Sequence, residues 1–329
     1  MSVQKSMIGI RYIKLSNIGV ILLIAVFLTS CKGNISNNIS ESLEMTKMEK
    51  MTENSFESQT NEDKKGGDKM KKSDNIMSIM SFNIYWKLSE DYDRVKRVFK
   101  VIDEYSPDIF CVQEETSEWQ TYMEEHFDEK YSHVGILRMV TEGEGCRIYY
   151  LTEKFTPVDS GTIWLTETPD VMSITEGADH YRICTYVILR NNLTQKKFIV
   201  TNIHTENGVT DKKLKARASQ LNCFRQFLEK YEGMTRISVG DYNTEEGSQL
   251  YKKYMVDKDM VCDAKYVAKQ TKIINHTYHG FDDNPKNYEM IDYCLVSPDV
   301  TVDRYEVIDM KVDGLYPSDH YPLIITVEG

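Results

Sequence analysis

The chain has 329 residues, with 40 Lys and Arg against 51 Asp and Glu and a formal net charge of −11. Hydrophobic residues make up 41% and charged residues 28%, the balance of a globular chain. This excludes a wholly disordered chain, a polytopic membrane protein, a collagen and a disulfide miniprotein, and the acidic balance speaks against a basic nucleic-acid coat, whose surface tracks phosphates with Lys and Arg.

At the N-terminus, Lys5, Arg11 and Lys14 precede residues 15–30, which carry no charge. A spanning helix needs about 20 apolar residues, so this stretch suits the apolar segment of a signal peptide better. It ends Leu28-Thr29-Ser30-Cys31, which is similar to a bacterial lipobox. Residues 1–30 are therefore expected to be removed and Cys31 to take the lipid, which would hold the protein at the extracytoplasmic face of the cell membrane. The alternative is an ordinary signal peptide with a chance cysteine. Residues 31–75 are rich in Asn, Ser, Glu, Lys and Met and read as a flexible linker, because they cannot bury enough apolar surface to offset chain entropy. The folded domain is expected at 76–329, as a monomer.

Within that domain, residues 76–84 alternate and predict a strand. Residues 93–105 predict a helix with Val95, Val98, Phe99 and Ile102 on one face, ended by Pro107. A buried strand at 108–113 and a second helix at 116–127 follow. Three strands fit between 131 and 164. Residues 182–190 and 197–203 predict a strand pair around a turn at Asn191-Asn192. Residues 210–231 predict the longest helix, capped by Thr210-Asp211 and burying Leu214, Ala218, Leu221, Phe224 and Leu228. Strands at 236–239, 290–296, 300–308 and 321–327 complete the chain. Hairpin-joined strands mixed with helices argue for an α/β fold of two packed sheets with the helices outside.

Beyond Cys31 there are six cysteines: Cys111, Cys146, Cys184, Cys223, Cys262 and Cys294. None has CxxC spacing, which argues against a zinc site. Cys111, Cys184 and Cys294 lie in apolar runs and read as free core thiols.

A set of polar residues stands where apolar strands stop: Asn83, Glu114, His204, Asp241 with Asn243, Asp292, and Asp319-His320. Singly, each reads as a turn residue. Together they place many charges beside apolar strands, where a charge is costly unless paired or metal-bound. His126, His133 and His180 read as surface residues, His276 as a loop residue, and Trp86, Trp119 and Trp164 as packing. Arg217 and Gln220, one turn apart, read either as a brace for the His204 strand end or as a solvated face.

In order, Asn83, Gln113-Glu114, Asn202-Ile203-His204, Gly240-Asp241-Tyr242-Asn243, Ile291-Asp292-Tyr293 and Ser318-Asp319-His320 resemble the signature of the endonuclease/exonuclease/phosphatase superfamily, the DNase-I-like phosphoesterases. The strings Arg182-Ile183-Cys184-Thr185 and Thr277-Tyr278-His279-Gly280-Phe281 look like a bacterial subgroup of it. The resemblance implies a four-layer α/β/β/α sandwich of two mixed sheets and Mg²⁺- or Mn²⁺-dependent hydrolysis of phosphoesters. It implies Glu114 as the main metal ligand, aided through water by Asp319, with Asn83 positioning Glu114 or the phosphate. Asp241 would orient or deprotonate the attacking water, and Asn243 would hold a phosphate oxygen. His320 would contact the phosphate, with its tautomer fixed by Asp292. His204 would stabilise developing charge, and Arg182 and His279 would line the substrate pocket. The substrate would be a phosphorylated small molecule, a lipid headgroup or nucleic acid.

The chain also departs from the pattern. It carries Glu206 where the family often has Asp, and Tyr85 where some family nucleases place a further Asp. Arg147, close to the subgroup-like pair Gly143-Glu144, replaces a small residue. Two other readings stay open: a nuclease acting outside the cell, which the acidity disfavours, and an inactive binding lipoprotein on the same scaffold, which the complete set from Glu114 to His320 disfavours.

Overall fold

The computed structural model describes residues 76–285 and 289–328. The leader at 1–30, the lipidation at Cys31 and the linker at 31–75 lie outside the described residues. In chain order the elements are β1 (Ile76–Asn83), α1 (Arg94–Tyr105), β2 (Ile109–Gln113), β3 (Glu115–Thr116), α2 (Ser117–Phe127), β4 (Tyr131–Val134), β5 (Glu144–Gly145), β6 (Ile148–Leu151) and β7 (Phe155–Trp164). Then follow β8 (Ile183–Asn191), β9 (Lys197–His204), α3 (Asp211–Glu229), β10 (Thr235–Asp241), β11 (Cys262–Asp263), α4 (Ala264–Val267), β12 (Gln270–Lys272), β13 (Asp292–Val296), β14 (Val302–Val307) and β15 (Leu323–Glu328).

β1 shows why the chain makes layers. Met77 and Ile79 face one core, which they share with Val187, Val200 and Val239 of the second sheet. Met80 and Phe82 face the opposite way, onto Val98 and Ile102 of α1 and Trp119 and Met123 of α2. A strand buried on both faces needs a cover on each side. The seven-stranded sheet runs β12-β14-β15-β1-β2-β6-β4 and the six-stranded sheet β11-β13-β10-β9-β8-β7. Each mixes parallel pairs (β1 with β2, β9 with β10) with antiparallel ones. Leu221, Phe224, Phe227 and Leu228 of α3 cover the outer face of the second sheet. This is the α/β/β/α sandwich expected above.

Two expectations need correction. α3 does not bury Leu214, which is exposed, and Ala218 is only half-buried; its inner stripe is Ala216, Arg217, Gln220, Leu221, Phe224, Phe227 and Leu228. The stripe is rotated because two polar members, Arg217 and Gln220, bond the backbone of Glu206. The β8–β9 connection is also longer than a two-residue turn, since Asn191 receives Gln195 N on its carbonyl and Leu193 N and Thr194 N on its side chain. The cap at Thr210 is present, accepting from Lys213 N at 3.4 Å. All six described cysteines are free, and Cys111, Cys146, Cys184 and Cys294 are buried.

The two sheets are joined by a buried polar contact as well as by apolar packing. Asn202 of β9 accepts from Gln113 Nε2 at 2.7 Å and donates to the carbonyls of Val112 at 2.8 Å and Arg147 at 2.9 Å. Its partners have no water to turn to when it is removed. Asn202→Ala should therefore lower unfolding stability by about 3 kcal/mol. Urea unfolding checks this, with an unchanged m-value marking a native-state effect; a loss within 0.5 kcal/mol or so would rule out this contact as a tie between the sheets.

Candidate active site

Strand register brings distant motifs together. In the parallel β9/β10 pair His204 lies opposite Asp241, and in the antiparallel β10/β13 pair Asp241 lies opposite Asp292. In the other sheet Asn83 lies opposite Gln113, so Glu114 emerges one residue beyond the end of β2. Glu114 takes φ 63° and Asn243 φ 45°, turns that redirect the chain where the strands stop. The glycine of Gly-Asp-Tyr-Asn has a steric cause: a Cβ on Gly240 would stand 2.1 Å from the Ile203 carbonyl oxygen.

Asn83 links the sheets at this point. Its Nδ2 donates to Glu114 Oε1 and to Asp241 Oδ2, both at 3.1 Å. The other Glu114 oxygen receives the backbone N–H of Trp86 at 3.0 Å. That loop is fixed from below by buried Arg94, which donates to the carbonyls of Ile84, Tyr85 and Lys87. Asn243 N donates to Asp241 Oδ1 at 2.8 Å, and Asn243 Nδ2 to the Thr205 carbonyl at 3.0 Å. His320 Nδ1 lies 2.8 Å from Asp292 Oδ2, while its Nε2 points to Asp241 Oδ2 at 3.9 Å. His204 Nε2 stands 3.4 Å from the same Asp241 oxygen. Ser318 donates to the Asn83 carbonyl at 2.6 Å and to Asp319 at 3.2 Å, which seats the last motif against the first.

Glu114, His204, Asp241, Asn243, Asp319 and His320 line a cleft of about 1010 Å³, together with Tyr85, Trp86, Arg138, Glu144, Arg182 and Tyr278, while Asn83 and Asp292 stand behind it. Its carboxylates are crowded. Burial and then Asp319 raise the proton affinity of Glu114, and burial raises that of Asp319. Burial and the neighbouring Asp292 push Asp241 up to about 7. The two histidines diverge. Burial, then Arg182 and Arg138, hold His204 well below the ordinary histidine range. Burial also acts against the charged form of His320, but Asp292, followed by Asp319 and Asp241, outweighs it and holds the ring well above that range. One oxygen or nitrogen from each of Asp241, Asp292 and His320 falls within 4.8 Å of the others, a grouping that could hold a metal. The oxygen-rich acids Glu114 and Asp319 are the better match for a hard divalent cation, whose charge would relieve their crowding.

The structure thus gathers Asn83, Glu114, His204, Asp241, Asn243, Asp292, Asp319 and His320, with Arg182 on the cleft wall. It does not gather His279. That side chain is buried between the rings of Tyr316 and Tyr321, at 4.1 and 4.3 Å, and its Nδ1 accepts from Phe281 N. Its neighbour Tyr278 takes the place on the cleft and packs on His320 at 5.0 Å. The sequence string carries no information on which of two adjacent side chains faces inward. One expectation changes and one is extended. Trp86 is 45% exposed on the cleft rim, so it is not packing; His180 is a surface residue as expected, and it also lines the same cleft. Nothing in the sequence marks Arg138, which sits in an irregular loop with neither periodicity nor motif. Arg217 and Gln220 are buried braces of Glu206, two residues beyond His204.

The His320–Asp292 contact has a pH signature. The folded state binds the His320 proton more tightly than the unfolded state does. The contact therefore contributes stability fully below about pH 6.5, and that contribution is lost as pH rises through the higher folded value. In Asp292→Asn the burial remains while the main opposing carboxylate is gone, so His320 should be neutral at pH 7. Imidazole ¹⁵N shifts should show a charged ring in the parent and a neutral one in the variant; a charged ring in both would exclude the pairing as the cause.

A profile of the Endonuclease/Exonuclease/phosphatase family matches residues 80–320. Comparison with curated proteins gives no match. Among solved structures, an endonuclease/exonuclease/phosphatase family protein from Bacteroides thetaiotaomicron is 27% identical, with a TM-score of 0.70 over 77% of this chain and 97% of that one. A mannosyl-6-phosphatase from the same species is also 27% identical, with a TM-score of 0.69 over 76% and 99% of the two chains. The catalytic domain of human Nocturnin, 18% identical with a TM-score of 0.62 over 77% and 94%, shares the fold. With the profile spanning every strand-end motif from Asn83 to His320, the chain belongs to the endonuclease/exonuclease/phosphatase family, whose members are phosphoester hydrolases.

Proposed function

We propose that this phosphoesterase works with a divalent cation, Mg²⁺ or Mn²⁺, and acts on a phosphorylated small molecule. The observation that carries the reading is the His320–Asp292 pair, aimed at Asp241 beside the crowded carboxylates Glu114 and Asp319. Glu114 would hold the cation, with Asp319 assisting through water. Bound there, a divalent ion supplies positive charge to the phosphoryl oxygens and so favours attack by water. Asn83 keeps Glu114 and Asp241 in register. Asp241, raised toward neutrality, orients the attacking water and accepts its proton. Protonated His320 donates a hydrogen bond from Nε2 to a phosphoryl oxygen, and Asp292 fixes that tautomer. Asn243 adds a donor, and neutral His204 supports the developing charge. The cleft volume and the kinship with a mannosyl-6-phosphatase support a small phosphorylated substrate.

A panel of sugar phosphates, nucleotides, lipid headgroup phosphates and nucleic acid, assayed with Mg²⁺, tests the substrate class. Activity on nucleic acid alone would refute it. Glu114→Gln replaces an anionic ligand by a neutral amide. It should keep the fold and lower the rate by roughly 100-fold at limiting Mg²⁺. Normal turnover there would remove Glu114 from the metal site.

We also propose the organisation read from the sequence: a removed leader at 1–30, a lipidated Cys31 with a linker to 75, and the hydrolase at 76–329, held outside the cytoplasmic membrane. Anchoring rests on acyl chains carried at one cysteine, and a pair of chains makes it stable. Cys31→Ser should therefore move the protein from the detergent phase to the aqueous phase or leave it unprocessed. Unchanged partitioning of a processed variant would refute the anchor.

A further inference from the structure

Two arginines stand together on the cleft wall, and the fold places both deliberately. The carbonyl of Arg138 accepts from Trp164 Nε1 at 2.9 Å, and the carbonyl of Arg182 accepts from Leu165 N at 2.9 Å. Consecutive residues at the end of β7 thus anchor the two backbones. Each guanidinium then has its own carboxylate. Arg138 Nη1 meets Glu144 at 2.8 Å, and Arg182 Nε meets fully buried Glu206 at 3.4 Å. Glu206 is itself held by Lys213 Nζ at 2.5 Å and by the backbone N–H of Asp179 at 3.2 Å. Both arginines line the catalytic cleft together with His204. Among the described residues each guanidinium gives one side-chain donor to its carboxylate, and both side chains border the cleft, Arg138 half-buried and Arg182 buried.

Although each is paired with a carboxylate, the two guanidiniums border one cleft beside His204 and Asp241, where both can offer N–H donors to an anionic group. A guanidinium fork matches a pair of phosphoryl oxygens. A phosphomonoester presents three terminal oxygens and close to two negative charges near pH 7. A diester replaces one of those oxygens with an ester group. It therefore offers two guanidinium forks one terminal acceptor fewer and about one negative charge less than a monoester does. We propose that Arg138 and Arg182 form a clamp for the terminal phosphoryl group and make the enzyme selective for phosphomonoesters over phosphodiesters. This rests on the phosphoesterase reading and adds the substrate class to it.

The test compares the parent, Arg138→Gln and Arg182→Lys with p-nitrophenyl phosphate and bis(p-nitrophenyl) phosphate at fixed Mg²⁺. Thermal unfolding confirms that each variant is folded, and Arg138, on a partly exposed loop, is the variant less dependent on packing. The parent should prefer the monoester. Arg138→Gln should lower kcat/KM for the monoester by roughly 10- to 100-fold while the diester falls by less than about 3-fold. Arg182→Lys, which keeps the charge and loses the fork, should shift the ratio in the same direction. Equal losses on both substrates, or a parent that prefers the diester, would overturn the clamp. If the parent turns over neither substrate, the substrate panel above tests the phosphoesterase reading separately, and calorimetry with inorganic phosphate decides the clamp. Binding weakened about 10-fold or more in Arg138→Gln supports it, and equal binding overturns it.

Discussion

Everything at this site depends on one amide. Asn83 Nδ2 donates to Glu114 from its own sheet and to Asp241 from the other. Two carboxylates on separate sheets would otherwise drift apart, since their mutual repulsion opposes close approach. A neutral donor shared between them holds the seam closed without neutralising either acid. The Asn202 contact with Gln113, Val112 and Arg147 does the same deeper in the interface. Registry between the sheets is therefore set by hydrogen bonds at the end where the chemistry sits and by apolar packing elsewhere, which is not directional.

That seam also explains how one cleft keeps two histidines in opposite states. His204 and His320 are both buried and both approach Asp241 Oδ2, at 3.4 and 3.9 Å. The difference comes from the other side of each ring. His320 meets Asp292 directly, whereas His204 faces the arginine wall. Burial penalises the charged form of each, and only a close opposite charge reverses the penalty. A neutral and a protonated imidazole on either flank of one carboxylate give the site an acceptor and a donor at the same pH.

Much of this was legible in the sequence, and what was not has a physical reason. Strand alternation, the Thr210 cap and the polar residues at strand ends gave the sandwich and eight of the clustered side chains, because burial on two faces imposes a pattern on a linear chain. The inner face of α3 departs from the hydrophobic period because Arg217 and Gln220 are buried for their hydrogen bonds, which such a period cannot register. The short strands β11 and β12 are too brief for any period. Trp86, His180 and Arg138 sit on loops whose shape is fixed by contacts far along the chain: Arg94 beneath Trp86, and Trp164 beneath Arg138. His279 was misplaced because its burial depends on Tyr316 and Tyr321, which no local string predicts.

The exchange of Asp for Glu at position 206 can be understood from the same geometry. Glu206 is fully buried, so its charge must be compensated on every side. The longer arm carries its carboxylate to Lys213 and Arg182 at once, while its backbone is held by Gln220 and Arg217 from α3. Burial alone would raise its proton affinity, but Lys213 and Arg182 reverse this and hold it below the usual carboxylate range. An aspartate placed there would have to pull one of these cations inward or give up one of the two contacts. The substitution is thus coupled to a lysine on the first turn of α3 and an arginine at the head of β8. It ties the outer helix layer to the cleft wall through a single buried anion, so the position of Arg182 is set by the packing of α3 as well as by its own strand.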